Sequence, residues 1–223
     1  MCGRFTLHSP EARIREAFNL ERIEPLGLVP RYNIAPSQDI PIIRDIESSR
    51  EIVFARWGLI PSWSKEPKTK YSTINARIES VAEKPTYRTP FKRQRCLIPA
   101  DGYYEWKQVA GNKIPHHMRM KKGDVFAFAG LWDHWEDETE SLDSCVIITT
   151  PSNEAMKPIH ERMPAIIAPA HYDYWLDEKI NDKQEIMQYL NSAPSSQLIA
   201  YPVSTWVNSP KNNDERCIQP AGL

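Results

Sequence analysis

Proline outnumbers glycine by 19 to 8 in this chain of 223 residues, where average usage would give roughly 11 and 16. Proline fixes φ and has no N–H to give to a ladder, so it stands at strand ends and in rigid connections rather than inside a sheet. Between the prolines lie short runs of β-branched and aromatic residues, bounded by Pro, Gly or charge. The runs 40–44, 51–59, 95–99, 103–108, 115–120, 125–132, 145–149, 165–168 and 199–207 read as strands. The stretch 26–36, punctuated by Pro30 and Pro36, reads as loop. Helical signals are few. Ser9-Pro10-Glu11 has the order of an N-cap, a first-turn proline and a first-turn acid, and Ile14, Ala17 and Phe18 follow at helical spacing. The segments 169–177 and 182–190 carry Tyr174, Trp175, Ile186, Met187 and Leu190 at three- and four-residue steps. This pattern predicts an α+β fold: one domain over residues 1–223, with a curved, barrel-like, mainly antiparallel β core and a few peripheral helices.

Composition narrows the function classes. Basic and acidic residues number 28 and 29, for a net charge of −1, which excludes a protein that is basic all over. The scarcity of glycine argues against a Gly-rich nucleotide-binding loop. No apolar run reaches the roughly 18 residues that span a bilayer, and no signal-peptide pattern opens the chain, so a cytoplasmic protein is expected. Cys2, Cys96, Cys145 and Cys217 are widely spaced, which predicts free thiols rather than a disulfide framework. No Cys-x-x-Cys occurs. Charge is uneven, however. Residues 56–95 hold ten basic side chains against three acidic ones and carry +7, leaving −8 for the rest. Trp57, Trp63 and Tyr71 interleave with those cations, and aromatic faces beside cations suit a single nucleic-acid strand. A solvated surface is the ordinary alternative.

Four segments could carry chemistry. Cys2 would gain a free α-amine on removal of Met1. That amine has an ordinary pKa of about 7.7–8.0 and the thiol one of about 8.5, so both have a reactive fraction near neutrality. Such a 1,2-aminothiol condenses with an aldehyde to an imine, and its sulfur can then close a five-membered thiazolidine. Alternatively its amine can serve as base to the thiol. An incidental cysteine is the bland reading, against which stand Gly3, which permits close approach, and Arg4, which suits a phosphate. In Thr73-Ile74-Asn75-Ala76-Arg77, Asn75 could hold an amine or carbonyl and Arg77 a phosphate; otherwise Asn75 caps a helix over 76–83. In Ala100-Asp101-Gly102-Tyr103-Tyr104-Glu105-Trp106, Asp-Gly reads as a tight turn. Glu105 then lies on the outgoing strand, where aromatic neighbours could raise its pKa for general acid work; a surface glutamate is the commoner case. In Ile159-His160-Glu161-Arg162-Met163-Pro164, His160 can shuttle protons near neutrality. Pro164 breaks a His-Glu-x-x-His zinc pattern, so no metal ligand is assigned. His116 and His117 are adjacent and should point to opposite faces of a strand.

Met-Cys-Gly-Arg-Phe, Ile-Asn-Ala-Arg, Ala-Asp-Gly-Tyr-Tyr-Glu-Trp and Ile-His-Glu-Arg-Met-Pro, in this order, are specific as a set. With Arg31-Tyr32-Asn33-Ile34-Ala35-Pro36 and Pro202-Val203-Ser204, they make the chain resemble the SOS response-associated peptidase family along almost its whole length. The resemblance implies binding to abasic sites in single-stranded DNA and a covalent thiazolidine crosslink through the terminal cysteine. It implies Cys2 as nucleophile, Asn75 orienting its amine, Glu105 as acid–base residue and His160 as a second proton-transfer or sugar-hydroxyl contact. Arg4 and Arg77 are implied as phosphate contacts, Trp63 as a stacking platform and Pro36 as part of the DNA path. No small-molecule cofactor, no membrane partner and a monomeric state are expected. A thiol peptidase using Cys2, with its amine or His160 as base, and a non-covalent nucleic-acid reader remain the alternatives.

Overall fold

The computed structural model describes residues 2–21, 25–46, 49–68, 71–190 and 197–222. In chain order the strands are β1 (Phe5–Leu7), β2 (Arg31–Ile34), β3 (Asp39–Ile46), β4 (Ser49–Trp57), β5 (Asn75–Arg77), β6 (Arg95–Ala100), β7 (Gly102–Val109), β8 (Asn112–Met120), β9 (Phe126–Glu136), β10 (Ser141–Pro151), β11 (Arg162–Pro164), β12 (Ile166–Ile167) and β13 (Leu198–Pro202). The helices are α1 (Glu11–Phe18), α2 (Arg88–Arg93), α3 (Tyr172–Leu176) and α4 (Lys183–Leu190).

The expected barrel is present. β4 pairs with β3, β3 with β6, β6 with β9 and β9 with β10, all antiparallel. The ring closes where β10 lies parallel to β4, with Ser144 opposite Arg56 and Cys145 opposite Trp57. Every residue of β6, and Phe126–Leu131 of β9, is buried. Unbroken apolar runs of this kind need cover on both faces. The ring interior supplies one cover. The other comes from a second sheet and the helices, as where Trp175 of α3 donates its indole N–H to the Cys96 carbonyl of β6 (2.9 Å). Gly130 is required in β9, since a Cβ there would stand 2.7 Å from the Cys96 sulfur.

The second sheet is antiparallel, in the order β13-β8-β7-β1-β2. Phe5 and Tyr103 pair across β1 and β7 and face the barrel, where Phe5 meets Trp57 and Phe128 edge-on at 5.3 and 5.7 Å. The opposite face carries Tyr104 and His117, covered by Val203, Val207 and Cys217 from the C-terminal segment. His117 is buried against the Tyr201 hydroxyl (2.9 Å), while neighbouring His116 turns the other way, as alternation along a strand requires.

Several expectations change. Asp101-Gly102 makes no hairpin: it carries the chain from β6 of the barrel into β7 of the second sheet. The Asp101 carboxylate accepts the N–H groups of His8 and Ser9 (2.6 and 2.8 Å) and the Ser9 hydroxyl (2.5 Å). Ser9 is therefore drawn away from α1, whose N-cap position is Pro10. The loop reading of 26–36 misses β2, and the helix over 76–83 is replaced by β5 and turns. Segment 169–177 divides into a 3-10 turn (Pro169–His171) and α3. The strand expected over 199–207 stops at Pro202, beyond which Thr205–Asn208 is a 3-10 turn. Among the described residues no helix is long and apolar enough to cross a membrane.

Gly102 stands where a Cβ would strike His117 Nε2 and come within 2.6 Å of the Met118 carbonyl. Backbone on one side and a buried ring on the other leave little room to relax. Gly102→Ala is expected to cost about 2–3 kcal/mol, read as a lowered denaturant midpoint; an unchanged midpoint would contradict this packing.

Candidate active site

Cys2 lies just before β1 and is fully buried. Its carbonyl accepts a hydrogen bond from Asn75 Nδ2 (2.8 Å). Asn75 opens β5, which runs parallel to the far half of β10 with Asn75 opposite Ile147. The register of a three-residue strand thus aims an amide at the chain terminus. The other end of that amide, Oδ1, is buried and has no hydrogen-bond partner among the described residues.

Glu105 sits on β7, on the same face as Tyr103 and two residues beyond it. It is only 4% exposed, so the reading of a surface-strand glutamate does not hold. Burial pushes its carboxyl above the ordinary carboxylate range, and the opposing pull of His160 does not cancel the effect. The Cys2 thiol is likewise raised, first by burial and then by the negative charge of Glu105. Both groups are therefore biased toward their neutral forms.

His160 ends the turn that leads into β11. Its Nδ1 lies 3.0 Å from the Arg162 amide nitrogen and 3.1 Å from the Arg162 carbonyl oxygen, so the Arg162 backbone orients the ring in either tautomer. Arg162 in turn is fixed: it holds both oxygens of Glu79 (2.5 and 3.1 Å) and donates to the Thr149 carbonyl of β10 (2.6 Å). That grip keeps Glu79 below the usual carboxylate range. His160 and Glu105 both line a groove of about 880 Å³, whose walls include Trp106, Lys113, Lys157 and Asn208.

A second groove of about 740 Å³ is lined by Pro36, Arg56, Lys68, Tyr71, Thr73 and Ile74. Ile74, on its wall, directly precedes Asn75 in the chain. Arg77 is exposed, on the same face of β5 as Asn75. Trp63 is 66% exposed but lines neither groove. Arg4 is occupied: its guanidinium donates to Asn33 Oδ1 (2.6 Å) and to the carbonyls of Val207 (3.0 Å) and Asn208 (3.3 Å). It braces the segment after Cys2 against the C-terminal cover. Tyr103, Ser152 and Arg162, unassigned from sequence, border one small space with Glu105 and His160. Only Arg162 carried a hint, as the base inside the His160 motif; its acidic partner lies 83 residues away. Among the described residues no cluster of His, Cys, Asp and Glu could hold a metal ion.

Residues 1–210 match the family model described as SOS response associated peptidase, SRAP. The chain belongs to the SRAP family. Among its SRAP-like relatives is the abasic site processing protein YoqW of Bacillus subtilis (strain 168), 44% identical over 222 residues, covering 98% of this chain and 99% of that one. The abasic site processing protein HMCES of Rattus norvegicus is 32% identical over 273 residues, covering all of this chain and 77% of that protein. A crystal structure of a Bacteroides thetaiotaomicron protein matches with a TM-score of 0.85 at 28% identity, over 99% of this chain and 100% of that one.

The raised carboxyl makes a stability prediction. Glu105 binds its proton more tightly folded than unfolded, so stability is lost as pH rises from the unfolded-chain range near 4 through the folded value. Glu105→Gln removes that loss. The variant should melt above the wild type at pH 7, and the difference should vanish below about pH 4, where both are neutral. A difference that is constant with pH would contradict the assignment.

Proposed function

We propose that this chain captures abasic sites in single-stranded DNA and, once Met1 is removed, forms a thiazolidine crosslink through Cys2. The observation that carries this reading is the 2.8 Å bond from Asn75 to the Cys2 carbonyl, which presents the terminus beside the unpartnered Asn75 oxygen and near Glu105. An N–H of the freed amine is the natural donor to that oxygen. The relatives named as abasic site processing proteins support the choice of substrate.

The chemistry follows from the protonation states. An abasic deoxyribose is mostly a closed ring, and a neutral Glu105 can protonate the ring oxygen and take back the C1′ hydroxyl proton as the aldehyde forms, which leaves it neutral for the next step. The Cys2 amine adds to C1′, and the resulting hydroxyl leaves as water with a proton from Glu105 or His160. The product is the protonated imine; the Cys2 sulfur adds to its carbon, the thiol proton passes to the carboxylate, and the ring nitrogen keeps its N–H. One C–N bond and one C–S bond form, and one water leaves. The amine acts before the thiol, so the raised thiol pKa is no obstacle. A peptidase, by contrast, needs the thiolate at the outset, which burial and Glu105 both oppose.

The groove of Arg56, Lys68 and Tyr71 suits the flanking strand through phosphates and base faces rather than base edges, and the exposed Arg77 and Trp63 are further candidates for such contacts. Pro36 lines its wall. Arg4, already engaged, acts mainly by holding the terminus in place. Binding should therefore show little sequence preference and weaken with salt.

Purified protein mixed with a single-stranded oligonucleotide bearing one abasic site should give a band of reduced mobility on a denaturing gel. Cys2→Ala should abolish that band, and Glu105→Gln should slow its appearance by about 10²-fold or more. Absence of the band with Met1-processed wild type, or its persistence in Cys2→Ala, ends this reading.

A further inference from the structure

Tyr103 is fully buried and packs edge-on against Phe128 (6.0 Å). Its hydroxyl has no hydrogen-bond partner among the described residues. The space it borders, shared with Glu105, Ser152, His160 and Arg162, has no room for a water molecule, so solvent does not satisfy it. A buried hydroxyl without a partner destabilises a fold, and phenylalanine would fill the same place without that cost. Such a group is explained if its partner exists only in another state of the site.

One neighbour changes state in the proposed reaction. Glu105, on the same face of β7, begins neutral and becomes a carboxylate when it gives up its proton. A neutral carboxyl has little need of a further donor, whereas a buried carboxylate has great need of one. We propose that Tyr103 is a positioning residue for Glu105, its hydroxyl donating a hydrogen bond to the carboxylate in the ionised form that follows proton transfer. This inference rests on the crosslinking reading above and adds a residue to it. The bond strengthens as the reaction proceeds, which is the condition for accelerating it.

Other groups share the space around Glu105. His160 and Cys2 are themselves reactants. The Arg162 guanidinium commits its two terminal nitrogens to Glu79 and Thr149. Its Nε and the Ser152 hydroxyl are, with Tyr103, the buried donors in this space without a hydrogen-bond partner among the described residues; Tyr103 is the one of the three on the strand of Glu105 and on the same face. His116, opposite Glu105 on β8, has its Nδ1 against the Ile114 carbonyl. The Tyr103 phenol is itself held well above its ordinary pKa, first by burial and then by Cys2 and Glu105, so it keeps the proton it would donate.

The test is Tyr103→Phe, with crosslinking to the abasic oligonucleotide followed across pH and melting measured in parallel. Crosslinking should slow about tenfold or more, as for loss of a hydrogen bond to a charged group, although the variant melts at or above the wild-type temperature near pH 4. The fall in rate that marks Glu105 ionisation should move to higher pH. So should the pH at which the pH-dependent loss of stability is complete, a readout that needs no crosslink. A folded variant with wild-type rate and unmoved limbs overturns the inference, as does a slower rate with both limbs unmoved. If the wild type itself forms no crosslink, the reading of the site fails instead, and the pH dependence of melting alone decides whether Tyr103 supports Glu105.

Discussion

Strand β10 has two edges and shares them among four partners, and both the fold and the site depend on that division. Its first half pairs with β9 on one edge and β4 on the other, which closes the barrel. Its second half pairs with β5 and β11. β5 brings Asn75 to the Cys2 carbonyl, and β11 begins at Arg162, whose backbone orients the ring of His160. The strand that makes the core continuous thus extends past it and positions two site residues from opposite sides. Glu105 comes from the other sheet, on β7, and Cys2 from the residues leading into β1. The site lies at the seam between the sheets, which explains why four sequence-distant segments supply it.

The electrostatics of that seam arise from exclusion of water more than from opposite charge. Burial is the first cause of the raised Glu105 carboxyl and of the raised Cys2 thiol. The large cationic excess of residues 56–95 contributes less than a charge count suggests. Arg95 is buried and donates to the carbonyls of Phe91, Lys92, Trp175, Asp177 and Ile180, which makes it a clasp between β6 and the helices rather than part of a surface. Of the remaining bases, Arg56 and Lys68 line the groove that Ile74 also lines. A small number of cations placed along a path, rather than a uniform patch, suits a chain whose net charge is only −1.

Much of this was legible in the sequence where the signal is local. Long strands such as β9 and β10 are apolar over many residues, and their periodicity or continuity survives in any context. The motifs around Cys2, Asn75, Glu105 and His160 likewise stood out as residue types able to carry chemistry. What the sequence could not show is pairing over distance. β2, β5 and β11 have three or four residues each, too few for any period, and they exist because a neighbouring edge is open to them. Ser9 has the right neighbours to cap a helix, yet Asp101, 92 residues away, offers a charged acceptor that wins. Arg4 looked like a free phosphate ligand because Asn33 and the Val207 and Asn208 carbonyls that hold it lie far off in the chain.

The same distinction explains where the unsatisfied polar atoms collect. Asn75 Oδ1, Tyr103 OH, Ser152 Oγ and Arg162 Nε are all buried without a hydrogen-bond partner among the described residues, and all belong to the seam that holds Cys2 and Glu105. Away from the seam, His171 Nδ1 and Tyr172 OH are also buried without a hydrogen-bond partner among the described residues, while other demanding groups are satisfied, as with the five carbonyls around Arg95 and the three donors on Asp101. Local conflict of this kind in an otherwise consistent fold concentrates at functional sites. The seam is less stable than it could be, because four polar atoms taken out of water there gain no hydrogen bond in return.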